Sequence, residues 1–209
     1  MEWSLGFDWR ALGDPVSEGR RVWEWIQRVR PLHPSLDLWR PTAGSREEAE
    51  QSLPMTQDYL LHLIRGVQVL SDDPDFGLAP AFCGQIDQGS KLELSFNTPT
   101  PGSASVGLMI GEVLGAALDV SEDLADALMH TTASVFAPNI IGALTRNDHP
   151  LNPAPEPYRY LPGWKMFFAS DSPHYQRAGQ LATTVTPVGN GAVFTFGTPD
   201  TYPAVLDQW

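Results

Sequence analysis

The sequence predicts an α+β fold, in which helices pack on a mostly antiparallel sheet within a single domain over residues 1–209. A chain of 209 residues can bury a sizeable core without disulfides, and 42% of its residues are hydrophobic. Stretches with alternating apolar residues and stretches with helical apolar spacing occur in turn along the chain. Several apolar runs are joined by short polar turns, which favours antiparallel hairpins.

The first part of the chain predicts a strand and a helix. Trp3–Trp9 alternates apolar and polar residues, as expected for a half-buried strand. A helix can begin at Asp14 and must end by Pro31. Four prolines make residues 31–54 irregular, apart from one short turn near 45–50. The apolar stripe of this helix consists of Val22, Trp25, Ile26 and Val29.

The middle of the chain predicts a second helix, Thr56–Leu70, and three strands. Ala79–Ile86 and Lys91–Phe96 are expected to form a hairpin around residues 87–90, and Val106–Leu114 a buried strand. The stripe of the second helix is predicted at Tyr59, Leu60, Leu63, Val67 and Leu70.

The last part predicts a helix that begins at Ser121, a good N-cap, and ends before Pro138. Its polar face carries Glu122, Asp123 and Asp126, and its inward residues include Leu124, Leu128 and Phe136. Residues 147–162 contain five prolines and are expected to form a loop. Further strands are predicted at Asn139–Thr145, Trp164–Ala169, Thr183–Pro187 and Ala192–Phe196, followed by a short helix within Thr201–Trp209.

The charge is strongly negative and unevenly distributed. The net charge is −12, and residues 66–145 carry ten acids against the single base Lys91. This balance disfavours direct binding of nucleic acid or of an anionic membrane surface and favours a basic partner. The alternative is that the acids form a solvated face that serves solubility.

The sequence lacks the residue patterns of most catalytic and metal-binding sites. The single cysteine, Cys83, allows no internal disulfide, and the five histidines do not show metal-ligand spacing. We therefore expect no cofactor, no metal and no catalytic residue. No apolar run is long enough to span a membrane, and the acidic start Met1-Glu2 is unlike a secretory signal, so a cytoplasmic protein is expected.

Two other functions remain open at this point. Ser103-Ala104-Ser105-Val106-Gly107 approximates the nucleophile elbow of a small serine hydrolase, although a loop precedes it and an apolar run follows it. Five of the seven tryptophans fall within the first 39 residues. They could form a platform on which sugar rings stack, or they could be part of the protein core.

Several short stretches, in order, resemble those of a known family. They are Asp8-Trp9-Arg10, the helix at 20–30 that leads into the stretch 33–39, the stretch 45–49, the strand start at Trp164, and Gly191–Gly197. Taken together, these stretches resemble those of the immunity protein 52 family. Its members are antidotes encoded beside polymorphic toxins of type VI and related secretion systems. The resemblance implies an intracellular inhibitor that binds one cognate toxin, often a nuclease with a basic surface.

The candidate partner-binding residues come from charge and exposure rather than from the family. Trp23, at the flank of the first helix, is either a partner anchor or the edge of the core. The other candidates are acids in a loop or on the polar side of a helix: Asp72, Asp73, Asp75, Glu122, Asp123 and Asp126.

Overall fold

A computed structural model describes residues 3–9, 15–41, 46–51, 53–70, 81–83, 90–97, 104–112, 120–136, 140–146 and 163–209. Within these ranges the chain forms nine strands and six α-helices. In chain order they are β1 (Trp3–Trp9), α1 (Pro15–Val29), β2 (Arg40–Pro41), α2 (Arg46–Gln51), α3 (Gln57–Leu70), β3 (Ala81–Cys83), β4 (Ser90–Asn97), β5 (Ala104–Glu112), α4 (Glu122–Phe136), β6 (Ile140–Arg146), β7 (Lys165–Ala169), α5 (Tyr175–Leu181), β8 (Thr184–Val188), β9 (Gly191–Thr195) and α6 (Tyr202–Leu206).

The chain divides into two compact units. One comprises Met1–Trp9 with Asp119–Trp209, and the other comprises Arg10–Leu118. Every strand pairing described within either unit is antiparallel. The α+β class with a mostly antiparallel sheet is thus confirmed, whereas one domain over residues 1–209 stays a prediction.

The unit Arg10–Leu118 pairs its strands in the order β2-β3-β4-β5 and packs α1 against α3. The predicted stripe of α1 is confirmed, because its four residues are fully buried. In α3 the prediction for Tyr59 was wrong: this residue is 40% exposed, and Leu61 is buried beside Leu60 instead. Thr56 caps α3 by accepting a hydrogen bond from the Tyr59 amide, which places Tyr59 in the first turn, at the solvent side.

The other unit contains strands in the order β1-β6-β7-β9-β8. Alternate side chains of a strand point to opposite faces, so the faces can be followed from the register. Gly142 of β6 lies between Phe7 and Phe167, and a Cβ there would overlap the Phe7 ring. Helix α4 packs on this face, against β6, β7 and β8.

The opposite face of the same sheet carries α5, α6 and the C-terminal residues. Tyr175 of α5 meets the Phe194 ring edge-on at 5.1 Å, and Trp209 lies 5.8 Å from Phe168. The buried hydroxyl of Tyr202 in α6 accepts a hydrogen bond from the Arg146 amide and lies 3.4 Å from Thr145 Oγ1. These contacts fix three layers: one helix, the sheet, and two short helices.

Two elements were missed by the sequence analysis. Helix α5 contains Gly179, which weakens the helical pattern, and the pair Arg40–Pro41 is too short for a strand signal. None of the helices within the described ranges is both long and apolar enough to cross a membrane.

Candidate partner-binding surface

Helix α4 begins with an exposed acidic turn. The side chain of Ser121 accepts a hydrogen bond from the Leu124 amide, and its carbonyl accepts one from the Ala125 amide. The next residues, Glu122 and Asp123, lie where the helix dipole favours negative charge. The local sequence therefore specifies both where the helix begins and the negative charge of its exposed first turn.

The predicted separation of faces in α4 is confirmed. Glu122, Asp123 and Asp126 are exposed. The inward face packs on the sheet, and its buried residues are Leu124, Ala125, Leu128, Met129, Thr132, Ala133 and Phe136. The three acids thus stand on a helix whose position is fixed by its apolar face.

A buried lysine lies beneath these acids. Lys165, the first residue of β7, is only 1% exposed. Its Nζ lies 2.6 Å from Asp126 Oδ1 and 3.7 Å from Glu122 Oε1. Its Nζ also donates a hydrogen bond to Thr195 Oγ1 at 3.1 Å. Thr195 is the residue directly opposite Lys165 on β9. An ammonium group is buried only when such partners replace its water.

The Trp164 ring completes the environment of this lysine. Its centroid lies 4.6 Å from Lys165 Nζ, within the range of a cation–π contact. The indole N–H donates to the Gly197 carbonyl at 3.1 Å, and the ring lies 5.6 Å from the Trp3 ring. The ammonium is therefore enclosed by acids on one side and by the sheet on the other.

This arrangement corrects one assumption of the sequence analysis. The acids of the middle segment were treated as almost without a neutralising base, yet Lys165 pairs with two of the three on α4. The signal in the sequence was a lysine inside the apolar strand 164–169, where burial demands an acidic partner. Its partner could not be identified, because that depends on how α4 lies across β7.

Beside the acids, a groove runs between α4 and the β8–β9 hairpin. It has a volume of about 410 Å³ and is open to solvent. Val193 is buried, while the other residues are exposed or half-buried. The lining residues are Asp126, Ala127, His130, Thr131, Thr186 and Val193.

Among the described strands, β8 is the last of the sheet on this side. Its first four residues are exposed, and Val185 is 44% exposed. Val188 and Gly191 close a two-residue turn, so the backbone groups of Thr186 face β9 and those of Pro187 face outward. Proline lacks an N–H, so Pro187 offers no backbone donor on the side of β8 that faces away from β9.

The remaining predicted site residues are Trp23 and three acids of the middle segment. Asp72, Asp73 and Asp75 lie outside the described residues. Trp23 belongs to α1 in the other unit, where it is half-buried with the Arg30 guanidinium 5.3 Å from its ring centroid. Its role as a partner anchor stays a prediction.

The alternative sites find little support in the described residues. Ser105 is the second residue of β5, and the chain continues as a strand to Glu112 rather than turning into a helix. Ser103 lies outside the described residues. Four tryptophans are part of the core, namely Trp3, Trp25, Trp39 and Trp164.

In the described parts of the chain, no three histidine, cysteine or acidic side chains are grouped so that they could hold a metal ion. The absence of a metal and of a cofactor from the functional protein stays a prediction.

The chain matches no family model. It also matches none of the curated proteins. Among solved structures it is similar to the Pseudomonas aeruginosa T6SS (type VI secretion system) protein PA0821. The TM-score is 0.50 with 14% sequence identity, over 100% of this chain and 75% of that one. At this identity the likeness shows the fold alone.

Proposed function

We propose that this chain is an immunity protein of the cytoplasm, which binds and neutralises one cognate toxin and catalyses no reaction itself. The toxin is a nuclease-type effector of a type VI secretion system. The observation that carries the proposal is the exposed acidic turn of α4, held above the buried Lys165. The fold likeness to a T6SS protein and the sequence resemblance to the immunity protein 52 family favour the same function.

The physical argument concerns charge. A nuclease binds the phosphate backbone through a surface rich in lysine and arginine, so such a surface is attracted to clustered carboxylates. The chain has a net charge of −12, and long-range attraction would speed its encounter with a basic toxin. Rapid binding suits an inhibitor that must act before the enzyme reaches DNA or RNA.

Geometry adds to this argument. Asp126 and Glu122 converge on one ammonium group, and the helix that carries them is fixed on the sheet by seven buried residues. Carboxylates held in place lose less conformational entropy on binding than mobile ones. A tight inhibitor also needs an interface of roughly 1,600 Å², so α4 would form one part of a larger contact.

The experiment is co-expression with the catalytic domain of the toxin encoded beside this gene. We expect the chain to restore growth and to co-purify with that toxin domain. The acidic turn is tested with the variant E122K/D123K, which keeps Asp126 beside Lys165 and should protect less well than the unaltered chain. If the unaltered chain neither protects nor co-purifies, the proposed function is wrong.

A further inference from the structure

We infer that the groove between α4 and the β8–β9 hairpin receives an arginine side chain of the partner protein. This inference rests on the proposed function, because it specifies how the acidic surface of α4 would hold its partner. The groove has a volume of about 410 Å³ and is open to solvent. That size falls within the range of pockets that enclose small organic groups, and it can hold one long side chain.

The groove is lined by both apolar and polar residues. Val193 is 3% exposed and Ala127 is half-buried, and both offer apolar surface to an aliphatic stem. Thr131 and Thr186 bring hydroxyl groups, His130 brings an imidazole, and Asp126 brings a carboxylate. A long side chain with an apolar stem and several donors at its end matches a lining that combines apolar surface with hydrogen-bond acceptors.

The charge at the groove selects a cation. Asp126 uses Oδ1 for Lys165, and its side chain is 52% exposed. A carboxylate has two oxygens and about four lone-pair sites, so this group can accept further hydrogen bonds from the solvent side. Glu122 and Asp123 add two negative charges on the same turn of α4. Three carboxylates against one ammonium leave the region attractive to a second cation.

Hydrogen-bond geometry favours arginine over lysine. A guanidinium is planar, carries five donors and is more weakly hydrated than an ammonium. It can therefore donate to the Asp126 carboxylate and to a threonine hydroxyl at the same time, while its stem lies on Val193. An ammonium at the same position would lose more hydration and could not form the paired geometry of a guanidinium and a carboxylate.

Lys165 acts here as a positioning residue. It holds the Asp126 carboxylate from beneath, and Thr195 in turn holds Lys165. The carboxylate is thus oriented before the partner arrives, which lowers the entropy lost on binding.

The first test needs no toxin. The isotopically labelled chain is titrated with N-acetyl-arginine amide, and amide shifts are followed by NMR. We expect saturable shifts at Ala127, Thr131 and Thr186, with weak affinity on the order of millimolar. N-acetyl-lysine amide should bind several-fold more weakly, and the uncharged N-acetyl-citrulline amide should give no saturable shift. Absence of saturation with the arginine probe, or equal binding of the citrulline probe, would overturn the inference.

The second test fills the groove. Thr186→Trp places a bulky ring in the groove, whereas Val185→Trp places the same ring on the opposite face of the same exposed strand. We expect T186W to weaken binding of the adjacent-gene toxin domain by roughly thirtyfold, as loss of an interface anchor does. V185W should change it less than about threefold, which checks that the hairpin tolerates a large side chain.

The two proposals fail in different ways. Unaltered toxin binding by T186W would overturn the arginine groove and leave the immunity function standing. A chain that binds no toxin would overturn the immunity function, and the arginine titration alone would then decide whether the groove selects a guanidinium.

Discussion

The ammonium nitrogen of Lys165 lies 2.6 Å from Oδ1 of Asp126, and the two side chains are 1% and 52% exposed, respectively. This pair joins the buried interior of the sheet to the exposed acidic turn of α4. Removing one partner of a fully buried ion pair lowers the free energy of unfolding by ~3–5 kcal/mol, because the other charge stays buried without a counter-charge. Here the two partners are unequal, since Asp126 can return to water and Lys165 cannot.

That inequality predicts different effects from the two halves of the pair. Asp126→Ala leaves a buried ammonium with Thr195 and the more distant Glu122, and we expect a loss of about 2 kcal/mol in the free energy of unfolding. Lys165→Met removes the buried charge and leaves an acid at the surface, so its effect should be smaller, about 1 kcal/mol or less in either direction. Urea denaturation measures both values.

Asp123→Ala is the matched control, because Asp123 is an exposed acid on the same turn of α4. It should change stability by less than about 0.5 kcal/mol. Equal losses for the Asp126 and Asp123 variants would contradict the structural role assigned to the pair.

The acids of α4 are also predicted to control the rate of association with a basic toxin. The variant E122K/D123K should slow association by about tenfold at low salt and much less at 0.5 M salt, since the Debye length is only about 10 Å at 0.1 M. Stopped-flow measurements at two salt concentrations give this comparison.

The control for that experiment reverses Asp171 and Asp207, two exposed acids outside α4. It makes the same change in net charge at other positions. If both double variants slow association equally, total charge rather than the acidic turn of α4 determines the rate.

Two glycines of the same unit predict opposite effects of added alanine. At Gly142 a Cβ would overlap the ring of Phe7, which is fully buried, so G142A should lower stability by about 2 kcal/mol. At Gly179, within α5, the nearest atom to a new Cβ is Phe194 Cε1 at 3.8 Å. G179A should therefore raise stability by about 0.5–1 kcal/mol through its better helix propensity. Thermal unfolding of both variants tests the sheet register around β6; similar effects from the two changes would refute it.

The hydroxyl of Tyr202 provides a separate test of the other face. Tyr202→Phe removes the acceptor for the Arg146 amide, and we expect a loss of about 1 kcal/mol. Tyr175→Phe is the control, because the ring of Tyr175 packs edge-on to Phe194 from a half-buried position. Chemical denaturation should show a clearly smaller loss for Y175F, and a reversed order would contradict the described contact.

The helix α4 could be predicted because its information is local. Ser121, the two acids that follow it and the apolar spacing all lie within one segment, and each favours the same register. The hairpin around 188–191 was predictable for the same reason, because its turn residues lie between two apolar runs.

The candidate site was only half predictable. Exposure of Glu122, Asp123 and Asp126 follows from helical spacing, but the contact between Asp126 and Lys165 depends on the alignment of α4 across β7. The groove likewise forms between α4 and a hairpin that is distant in sequence, so neither Thr186 nor His130 carried a signal of its own. Tyr59 shows the converse. Helical spacing alone placed it on an apolar stripe, but it lies in the first turn capped by Thr56 and is exposed to solvent.

Pro187 has a consequence for how this protein behaves at high concentration. Exposed edge strands invite identical chains to join one sheet to the next and to grow into filaments. At Pro187 the outward-facing backbone nitrogen carries no hydrogen, so an incoming strand would meet an oxygen acceptor with no donor beside it. Strand β8 can thus be accessible to side chains of a partner and still resist edge-to-edge pairing with another copy of the protein.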